Sequence, residues 1–316
     1  MIIETRQLGH RGPSVTRIGL GCAPFGNLFT EVSDDDVQAT VDAAWEGGVR
    51  FFDTAPLYGH GLSEIRLGKA LAKYPRDQYV LASKVGRLLR KSAEQISPTI
   101  FKNVPLLEPI FDYSRDAVLA SIDESLNRLN VDYLDVVHVH DPDDYEDWVI
   151  NEAFPTLIQL RDEGVVKAVG CGMNQTNSLT RFVHEVDLDC LLLAGRYTIL
   201  DNSSGTELLQ LCREKNIGVV LGGVFNSGLL ANPEMNKTFD YVDASPEILG
   251  KAQSMAGLAQ SHGVSLAHAA VQFGLRHAGV SSIVIGARTR NEMNDDLSYA
   301  AEVIPQEFWD ALETLS

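Results

Sequence analysis

Four polar side chains end or follow apolar, strand-like runs of this sequence. Asp53 ends VRFFD, Tyr58 follows in TAPLYG, Lys84 ends YVLASK and His140 ends LDVVHVH. A buried lysine and a buried aspartate must pair, because an unpaired charge in an apolar interior is very costly. The lysine is expected to lower the pKa of the nearby phenol by stabilising the phenolate. With the histidine orienting a substrate oxygen, the group is suited to interconversion of a carbonyl and an alcohol.

A scaffold that gathers strand ends is needed to bring these residues together. Apolar runs alternate with helical patterns and span residues 18–22, 49–53, 79–84, 134–140, 165–171, 190–194, 218–222 and 282–286. Runs that are apolar on both faces favour parallel strands covered by helices. Eight such units predict one α/β domain over residues 1–316, a (β/α)₈ TIM barrel with its catalytic residues at the carboxyl ends of the strands. An open doubly wound sheet is disfavoured, because the first strand–helix junction, GLGCAPFGNLF, lacks the dinucleotide fingerprint.

Turns and helix caps predict the remaining elements. Two β-prone stretches, 2–8 and 15–18, flank a glycine-containing turn and predict an N-terminal hairpin that closes the bottom of the barrel. Helices are predicted over 34–46, 64–72 and 115–128, started by Ser33, Ser63 and Ser114, with others beginning near Asn151, Thr176 and Thr206. The insertions 85–113 and 224–245 exceed ordinary loop lengths, so we expect them to lie over a site.

The composition restricts the partners. Lysine and arginine number 26 against 43 acidic residues, and the formal net charge of −17 disfavours nucleic acid and membrane surfaces. No segment reaches the ~18–20 apolar residues of a membrane span, and no signal peptide is evident, so we expect a cytoplasmic protein. The cysteines are scattered without a CxxC pair and are expected to be reduced. The expected partner is a small polar molecule, bound by a monomer or a small homo-oligomer.

Longer motifs spread from the second strand to the last make the assignment more specific. They read FFDTAPLYGHGLSEIRLGKAL, YVLASKVG, VDYLDVVHVHDPD, VVKAVGCGMN, LAGRYTILD and IGARTRNEM. This pattern resembles the aldo-keto reductase superfamily. The resemblance implies that Asp53, Tyr58, Lys84 and His140 form the catalytic tetrad, with the tyrosine exchanging the proton. His140 is preferred to His138, because the histidine of the family lies two residues before a proline.

The resemblance also implies a nicotinamide cofactor. Tyr197 is expected to stack on the nicotinamide ring, Asn174 to bind its carboxamide, and the loop GGVFNSGLL to hold the pyrophosphate through backbone amides. The predicted cofactor residues are Gly21, Asn174, Tyr197, Val224, Phe225, Asn226, Ser227, Gly228, Gly286, Ala287, Arg288, Glu292, Asp295 and Asp296.

The residues at the adenosine end favour NAD. Gly286 and Glu292 stand where NADP-preferring relatives carry cations, and a carboxylate repels a 2′-phosphate but accepts hydrogen bonds from a ribose hydroxyl. NADP stays possible, since the guanidinium of Arg288 is able to bind a phosphate.

The segments FDTAPLYGHGLSE, SKVGR, GCGMNQ and LAGRYTILD resemble the branch of sugar dehydrogenases that act on L-fucose, L-galactose or related D-threo-aldoses. This implies oxidation of the anomeric C1 hydroxyl to a lactone by NAD. Oxidation of pyridoxal, which also forms a cyclic hemiacetal, and general NADPH-dependent reduction of aldehydes or ketones are the alternatives. Phe25, His60 and Trp148 are the candidate substrate contacts, and the loops around Leu106, Trp148 and Phe225 are expected to separate the substrates.

Two other classes of protein remain as hypotheses. His138 and His140 form an HxH pair beside Asp141, as in a metal-dependent barrel hydrolase. The other histidines that could complete a site lie in predicted helices or at their ends, so no metal is expected. A non-catalytic nucleotide-binding subunit is disfavoured because all four tetrad residues are retained.

Overall fold

A computed structural model describes residues 3–95 and 99–315 of the protein. In chain order its strands are β1 (Thr5–Gln7), β2 (Ser14–Thr16), β3 (Ile18–Gly21), β4 (Phe51–Asp53), β5 (Val80–Val85), β6 (Arg87–Lys91), β7 (Leu107–Phe111), β8 (Val136–His140), β9 (Ala168–Met173), β10 (Cys190–Ala194), β11 (Gly218–Gly222), β12 (Thr238–Phe239), β13 (Val242–Asp243) and β14 (Val280–Ile285). Strands β3, β4, β5, β8, β9, β10, β11 and β14 pair in parallel in that order, and β14 pairs back with β3. The predicted closed barrel is confirmed, and the open doubly wound sheet is excluded.

Helices surround the barrel. They are α1 (Asp34–Glu46), α2 (Leu62–Leu71), α3 (Arg115–Leu129), α4 (Glu146–Trp148), α5 (Phe154–Asp162), α6 (Thr176–Glu185), α7 (Ser203–Glu214), α8 (Pro246–Ser261), α9 (Leu266–Arg276), α10 (Arg290–Ala301) and α11 (Gln306–Leu315). Ser33 and Ser114 cap α1 and α3 as predicted, because their hydroxyls accept from backbone amides of the first turn. Among the described residues, no helix is long and apolar enough to cross a membrane.

Two predicted boundaries are wrong for identifiable reasons. Ser63 does not cap α2 but lies inside it, and its hydroxyl donates to the Cys22 carbonyl at 2.6 Å instead. The helix begins two residues earlier than predicted, at Leu62, after Gly61, whose backbone is left-handed. The strand predicted at 165–171 begins three residues later and runs over β9, because a turn with the left-handed Gly164 follows the preceding helix and residues 165–167 are irregular. Asn174 is therefore the first residue after a strand.

The barrel interior is built in layers, since alternate residues of each strand point inward. The lower layers are apolar and contain Leu8, Val15, Phe51, Ala82, Val136, Ala168, Cys190, Leu192, Val220 and Val284. Leu8 and Val15 come from the hairpin of β1 and β2, which confirms that the hairpin closes the bottom. Ile2 of the predicted hairpin lies outside the described residues. Two residues further along β4, β5 and β8, the inward positions hold Asp53, Lys84 and His138.

The two insertions form hairpins. Strands β6 and β7 pair within 85–113, and β12 and β13 pair within 224–245. Residues 96–98 of the first insertion lie outside the described residues. Both insertions reach the catalytic end of the barrel as expected: Phe101 lies 6.2 Å from Tyr58 between ring centroids, and the second insertion forms part of the cleft described below.

Candidate active site

Asp53, Lys84 and Tyr58 form one connected group at neighbouring strand ends. Lys84 Nζ donates to Asp53 Oδ2 at 2.7 Å, to the Thr54 carbonyl at 2.8 Å and to the Tyr58 hydroxyl at 3.2 Å. The lysine and aspartate side chains are 1% and 3% exposed, so these acceptors satisfy the ammonium group away from water. Tyr58 is only partly buried and lines the cleft. The predicted contacts are present, and the phenol is the member of the group that a substrate could reach.

Burial shifts the pKa values of Tyr58 and Asp53 and so determines their protonation. Burial raises the pKa of Tyr58 well above its ordinary value, and the nearby Asp53 adds to the effect. The expectation that Lys84 lowers this pKa is wrong for this structure, because the phenolate would lose its water and face a carboxylate. Burial also raises the pKa of Asp53 against the opposing effect of Lys84. Tyr58 therefore rests as a neutral phenol and is first of all a proton donor.

His140 lies beside the phenol, whereas His138 lies below it. The ring of His140 meets that of Tyr58 edge-on, at 5.8 Å between centroids. Burial, and then the charge of Lys84, lower the pKa of His140 well below its ordinary value, so the imidazole is neutral. His138 is fully buried in the barrel, with its pKa lowered to about 3 by burial and Lys84. The geometry supports the choice of His140 as the residue that contacts a substrate oxygen.

The Ser-Glu pair at the end of the FFDTAPLYGHGLSE motif has a structural role. Glu64 is fully buried and accepts from the Ser83 hydroxyl at 2.7 Å and from Arg128 Nε at 2.6 Å. These bonds tie α2 to α3 and to β5, beside Lys84. The motif thus holds the strand that carries the catalytic lysine.

A cleft of about 530 Å³ opens beside Asp53 and Tyr58. The predicted cofactor residues that line it are Gly21, Asn174, Val224, Phe225, Asn226, Ser227, Gly228, Gly286, Arg288, Glu292, Asp295 and Asp296. Glycines lie at the ends of three other barrel strands beside the cleft: Gly21 on β3, which pairs with β4, Gly222 on β11 and Gly286 directly after β14. Because these three residues have no side chains, the top of the barrel stays open there, next to the phenol.

Tyr197 lies outside the cleft, so the prediction that it stacks on the nicotinamide is wrong. Gly195, directly after β10, has a left-handed backbone, and the following residues leave the barrel mouth. The ring of Tyr197 packs 5.0 Å from that of Phe273 and 5.3 Å from that of His277. Ala287 is fully buried behind the cleft wall and offers no side-chain contact either.

The three predicted substrate contacts also lie away from the cleft. Phe25 is fully buried in the main core. His60 is 2% exposed and lies beneath the hairpin of β6 and β7, close to the backbone of Leu107. Trp148 packs edge-on against Tyr113 in an aromatic cluster. Each of these side chains is held by packing that the sequence pattern around it does not reveal.

Other cleft residues come from two irregular segments. Leu28, Phe29 and Thr30 follow β3, and Asp240 and Tyr241 belong to the second insertion. The rings of Phe29 and Tyr241 lie 6.4 Å apart, and both residues have left-handed backbones. The length of the second insertion predicted that it would lie over the site, where Asp240 and Tyr241 are found. No sequence pattern predicts that Leu28, Phe29 and Thr30 line the cleft.

The loop after β11 is the candidate anion-binding loop. Asn226, Ser227 and Gly228 all have left-handed backbones, and the loop lines the cleft. The amides of Asn226 and Gly228 close turns within the loop itself. Of the five backbone amides of residues 224–228 that are predicted to bind phosphate, those of Val224, Phe225 and Ser227 are therefore the remaining candidates.

Two amide side chains, Asn226 of this loop and Asn174 directly after β9, line the same cleft and are able to bind a carboxamide. Asn226 Oδ1 is buried and has no hydrogen-bond partner, while its Nδ2 donates to the Gly195 carbonyl at 3.2 Å. Asn174 Nδ2 donates to the Ala194 carbonyl at 2.9 Å. The free acceptor on Asn226 suits a carboxamide donor, so Asn226 joins Asn174 as a candidate nicotinamide contact.

Acidic residues dominate the far rim of the cleft. Arg288 donates to Glu292 through its guanidinium at 2.6 Å and through its backbone amide at 2.7 Å. The Glu292 carboxylate therefore pairs with the guanidinium of Arg288, which could otherwise bind a phosphate. Asp295 and the buried Asp296 lie beside it, and burial raises the pKa of Asp296 to about 8. The rim has no unpaired positive charge among the residues that line the cleft.

The metal hypothesis lacks a ligand set in the part of the chain that the structure describes. Residues 3–95 and 99–315 contain no group of three or more His, Cys, Asp or Glu side chains placed to hold a metal ion. Asp141 lies 3.5 Å from His140, whereas His184, His262, His268 and His277 belong to outer helices or directly follow them.

Comparison with known proteins agrees with this site. The chain matches the Aldo/keto reductase family over residues 17–316. It is 40% identical over 306 residues to D-threo-aldose 1-dehydrogenase of a Pseudomonas species, covering 94% of this chain and 93% of that one. It is 39% identical over 333 residues to pyridoxal 4-dehydrogenase of Microbacterium luteolum, covering 98% and 97%.

Among solved structures, an aldo-keto reductase of Bacillus halodurans in its holo form superposes with a TM-score of 0.80. That match covers 99% of this chain and 96% of the other at 23% identity, which supports the barrel alone. The predicted family resemblance is confirmed by the family match and by the relatives. The chain belongs to the aldo/keto reductase family, whose members use nicotinamide cofactors, and it is an oxidoreductase.

Proposed function

We propose that the protein oxidises the anomeric C1 hydroxyl of an aldose to the lactone, with NAD as the hydride acceptor. The observation that carries this proposal is the Lys84–Tyr58 contact of 3.2 Å at the edge of a cleft with an acidic far rim. When bound, the oxidised cofactor supplies a hydride acceptor and a positive charge next to the phenol.

The chain's own residues handle the proton and the oxygen. Tyr58, as the phenolate, takes the proton of the C1 hydroxyl while the C1–H bond breaks with loss of hydride, and the freed electrons on oxygen form the lactone carbonyl. Lys84 stabilises the phenolate and Asp53 keeps the ammonium in place. The neutral His140 orients the same oxygen. In the reverse direction the phenol returns the proton.

The rim supports NAD over NADP. A 2′-phosphate at the far end of the cleft would meet Glu292 and Asp295, while Arg288 is already paired. A free ribose 2′-hydroxyl instead finds carboxylate acceptors.

The relatives support two hemiacetal substrates almost equally. D-threo-aldose 1-dehydrogenase and pyridoxal 4-dehydrogenase are 40% and 39% identical to this chain. A cyclic aldose and the hemiacetal of pyridoxal present the same oxidisable carbon and hydroxyl, so one proton acceptor serves both. We place the aldose first, and pyridoxal is the second candidate.

The test is absorbance at the reduced-nicotinamide band. Purified protein is mixed with NAD or NADP and, separately, with L-fucose, L-galactose, D-arabinose or pyridoxal. We expect reduction of NAD by at least one aldose. Turnover of pyridoxal alone would make pyridoxal, and not an aldose, the substrate. Activity only with NADPH and aldehydes would indicate a general carbonyl reductase. No turnover would favour a non-catalytic subunit.

A further inference from the structure

Asp141 places a carboxylate directly beside the candidate catalytic histidine. Its Oδ2 lies 3.5 Å from His140 Nε2 and 3.3 Å from Arg87 Nη2. The side chain is 30% exposed, which leaves it within reach of a small molecule. Its charge also contributes to the raised pKa values of Tyr58 and Tyr241, and both of these residues line the cleft. The carboxylate therefore belongs to the substrate end of the site.

The backbone holds this carboxylate in an unfavourable conformation. Asp141 has a left-handed backbone with φ 40°, a conformation that residues other than glycine adopt uncommonly. Its amide donates to the Gly172 carbonyl at 3.0 Å, and the buried Tyr113 hydroxyl donates to the carbonyls of His140 at 3.0 Å and Asp141 at 3.2 Å. Gly86 makes room for the Tyr113 ring, since a Cβ there would lie 2.1 Å from it. Strain imposed by several contacts at a reactive site points to a function.

The charges around Asp141 leave it able to accept hydrogen bonds. Arg87 and Lys84 favour its ionised form, whereas burial and Asp143 raise its pKa to about 6. His140 is neutral, so its contact with the carboxylate is not an ion pair. The contact with Arg87 uses one carboxylate oxygen, and the other oxygen stays available as an acceptor.

We propose that Asp141, held by Arg87, binds a hydroxyl of the substrate next to the reacting carbon and selects polyhydroxylated substrates over simple alcohols and aldehydes. A substrate oxygen between Tyr58 and His140 places its neighbouring carbon toward the carboxylate 3.5 Å from the imidazole. An ionised carboxylate accepts such hydroxyl hydrogen bonds strongly. A substrate without a hydroxyl there leaves one oxygen of the carboxylate without a hydrogen-bond donor. This inference rests on the proposed aldose oxidation.

The test compares the unchanged protein with the Asp141→Asn variant, each on an aldose and on its deoxy forms. Asparagine is similar in size to aspartate and tolerates a left-handed backbone, so the variant is expected to fold. Steady-state constants are measured for an aldose and for its 2-deoxy and 3-deoxy forms. With the unchanged protein, the 2-deoxy sugar, which lacks the hydroxyl next to C1, is expected to lose about tenfold or more in kcat/KM, the size of a hydrogen bond to a charged group, and the 3-deoxy sugar is expected to lose less. With D141N, the parent sugar is expected to lose a similar factor through KM, and the deoxy penalty is expected to disappear.

Two controls isolate the role of Asp141. Asp144→Asn removes an exposed carboxylate of the same loop and is expected to leave the constants unchanged. The KM for NAD is expected to be the same in all three proteins. In the unchanged protein, kcat/KM for the sugar is also expected to fall more steeply as the pH drops through about 6, the pKa of Asp141. In D141N this extra fall is expected to be absent, and only the pH dependence set by Tyr58 is expected.

The outcomes separate the two proposals. Aldose turnover by the unchanged protein with an equal deoxy penalty in D141N would overturn the role of Asp141 alone. No turnover of any aldose by the unchanged protein would overturn the proposed function, and the inference with it. Loss of the deoxy penalty in D144N as well would also count against Asp141, because it would indicate a general effect of loop charge.

Discussion

The phenol of Tyr58 shows how one residue's surroundings set its chemistry. Lys84 alone would favour the phenolate, but the same lysine also donates to Asp53 and Thr54. Burial, and then the charge of Asp53, raise the pKa of Tyr58, and the neutral phenol is the resting form. The neutral phenol of Tyr58 can donate its proton directly. To accept a proton it must first become the phenolate, and the positive charge of an oxidised nicotinamide would favour that form.

Replacement of Tyr58 by phenylalanine tests this role. Tyr58→Phe keeps the ring and the Lys84–Asp53 pair but removes the transferable proton, so turnover is expected to fall by about 10²–10⁴-fold. Binding of NAD, followed by fluorescence titration, is expected to persist. Because the raised pKa keeps Tyr58 protonated, oxidation by the unchanged protein should accelerate as pH rises, while reduction should slow at high pH. Tyr241→Phe, another cleft tyrosine, is the control, and equal losses in both variants would contradict a special role for Tyr58.

Glu292 is the residue that tests cofactor preference. Glu292→Gln removes a carboxylate and frees the guanidinium of Arg288, so kcat/KM with NADP is expected to rise by about tenfold, the effect of one charge-assisted contact. Initial rates with both cofactors measure the change. Asp295→Asn removes the same charge on the same rim without freeing Arg288 and is expected to have a smaller effect. An unchanged ratio of NADP to NAD use in E292Q would contradict the proposed preference.

At the scale of elements, an ion pair ties the second insertion to the segment after β10. Arg196, in the turn after β10, donates to both carboxylate oxygens of Asp240 at 2.9 and 2.6 Å, and Asp240 precedes Tyr241 in the cleft wall. This bidentate geometry anchors the hairpin of β12 and β13 over the cleft.

Loss of this pair should loosen the insertion. Arg196→Gln is expected to raise KM for both cofactor and substrate several-fold, which is the effect of about 1 kcal/mol from a partly exposed pair. Limited proteolysis should show faster cleavage within 224–245. Arg290→Gln breaks a comparable exposed pair with Glu46 on the outer surface, at 2.8 Å, and is the matched control. Equal KM values in both variants would argue against anchoring of the cleft by Arg196.

At the scale of the whole molecule, the two ends of the barrel have different tasks. The bottom is held by Asp189, which is fully buried and accepts from Arg11 at 2.8 Å, Arg161 at 3.2 Å and the Val169 amide at 2.9 Å. These bonds join the N-terminal hairpin, α5 and β9 far from the cleft, so they contribute to stability and not to chemistry.

Removal of this carboxylate should separate stability from activity. Asp189→Ala is expected to lower the free energy of unfolding by about 3–5 kcal/mol, because it leaves a buried arginine and a buried amide without their acceptor. Urea unfolding measures the loss, and kcat of the folded protein at low temperature should change little. Asp187→Ala removes a largely exposed partner of the same arginines and is expected to cost far less. A large fall in kcat with unchanged stability would contradict this division.

Local patterns in the sequence determined the elements and the catalytic group. Strand ends, helix caps at Ser33 and Ser114, and the alternation along β4, β5 and β8 follow from spacing within a few residues. Parallel strands in a closed barrel bring their carboxyl ends together, so the contacts of Asp53, Lys84 and Tyr58 follow from the position of each residue at or just after a strand end. The eight repeated units likewise determined the barrel.

The tertiary structure alone decided which side chains face the cleft and how their protons are held. Tyr197, His60 and Trp148 lie outside it because distant helices and hairpins pack against them. The reversed shift of the Tyr58 pKa and the capture of Arg288 by Glu292 depend on burial and on side-chain directions. Neither follows from spacing, because desolvation is the sum of everything that surrounds a group.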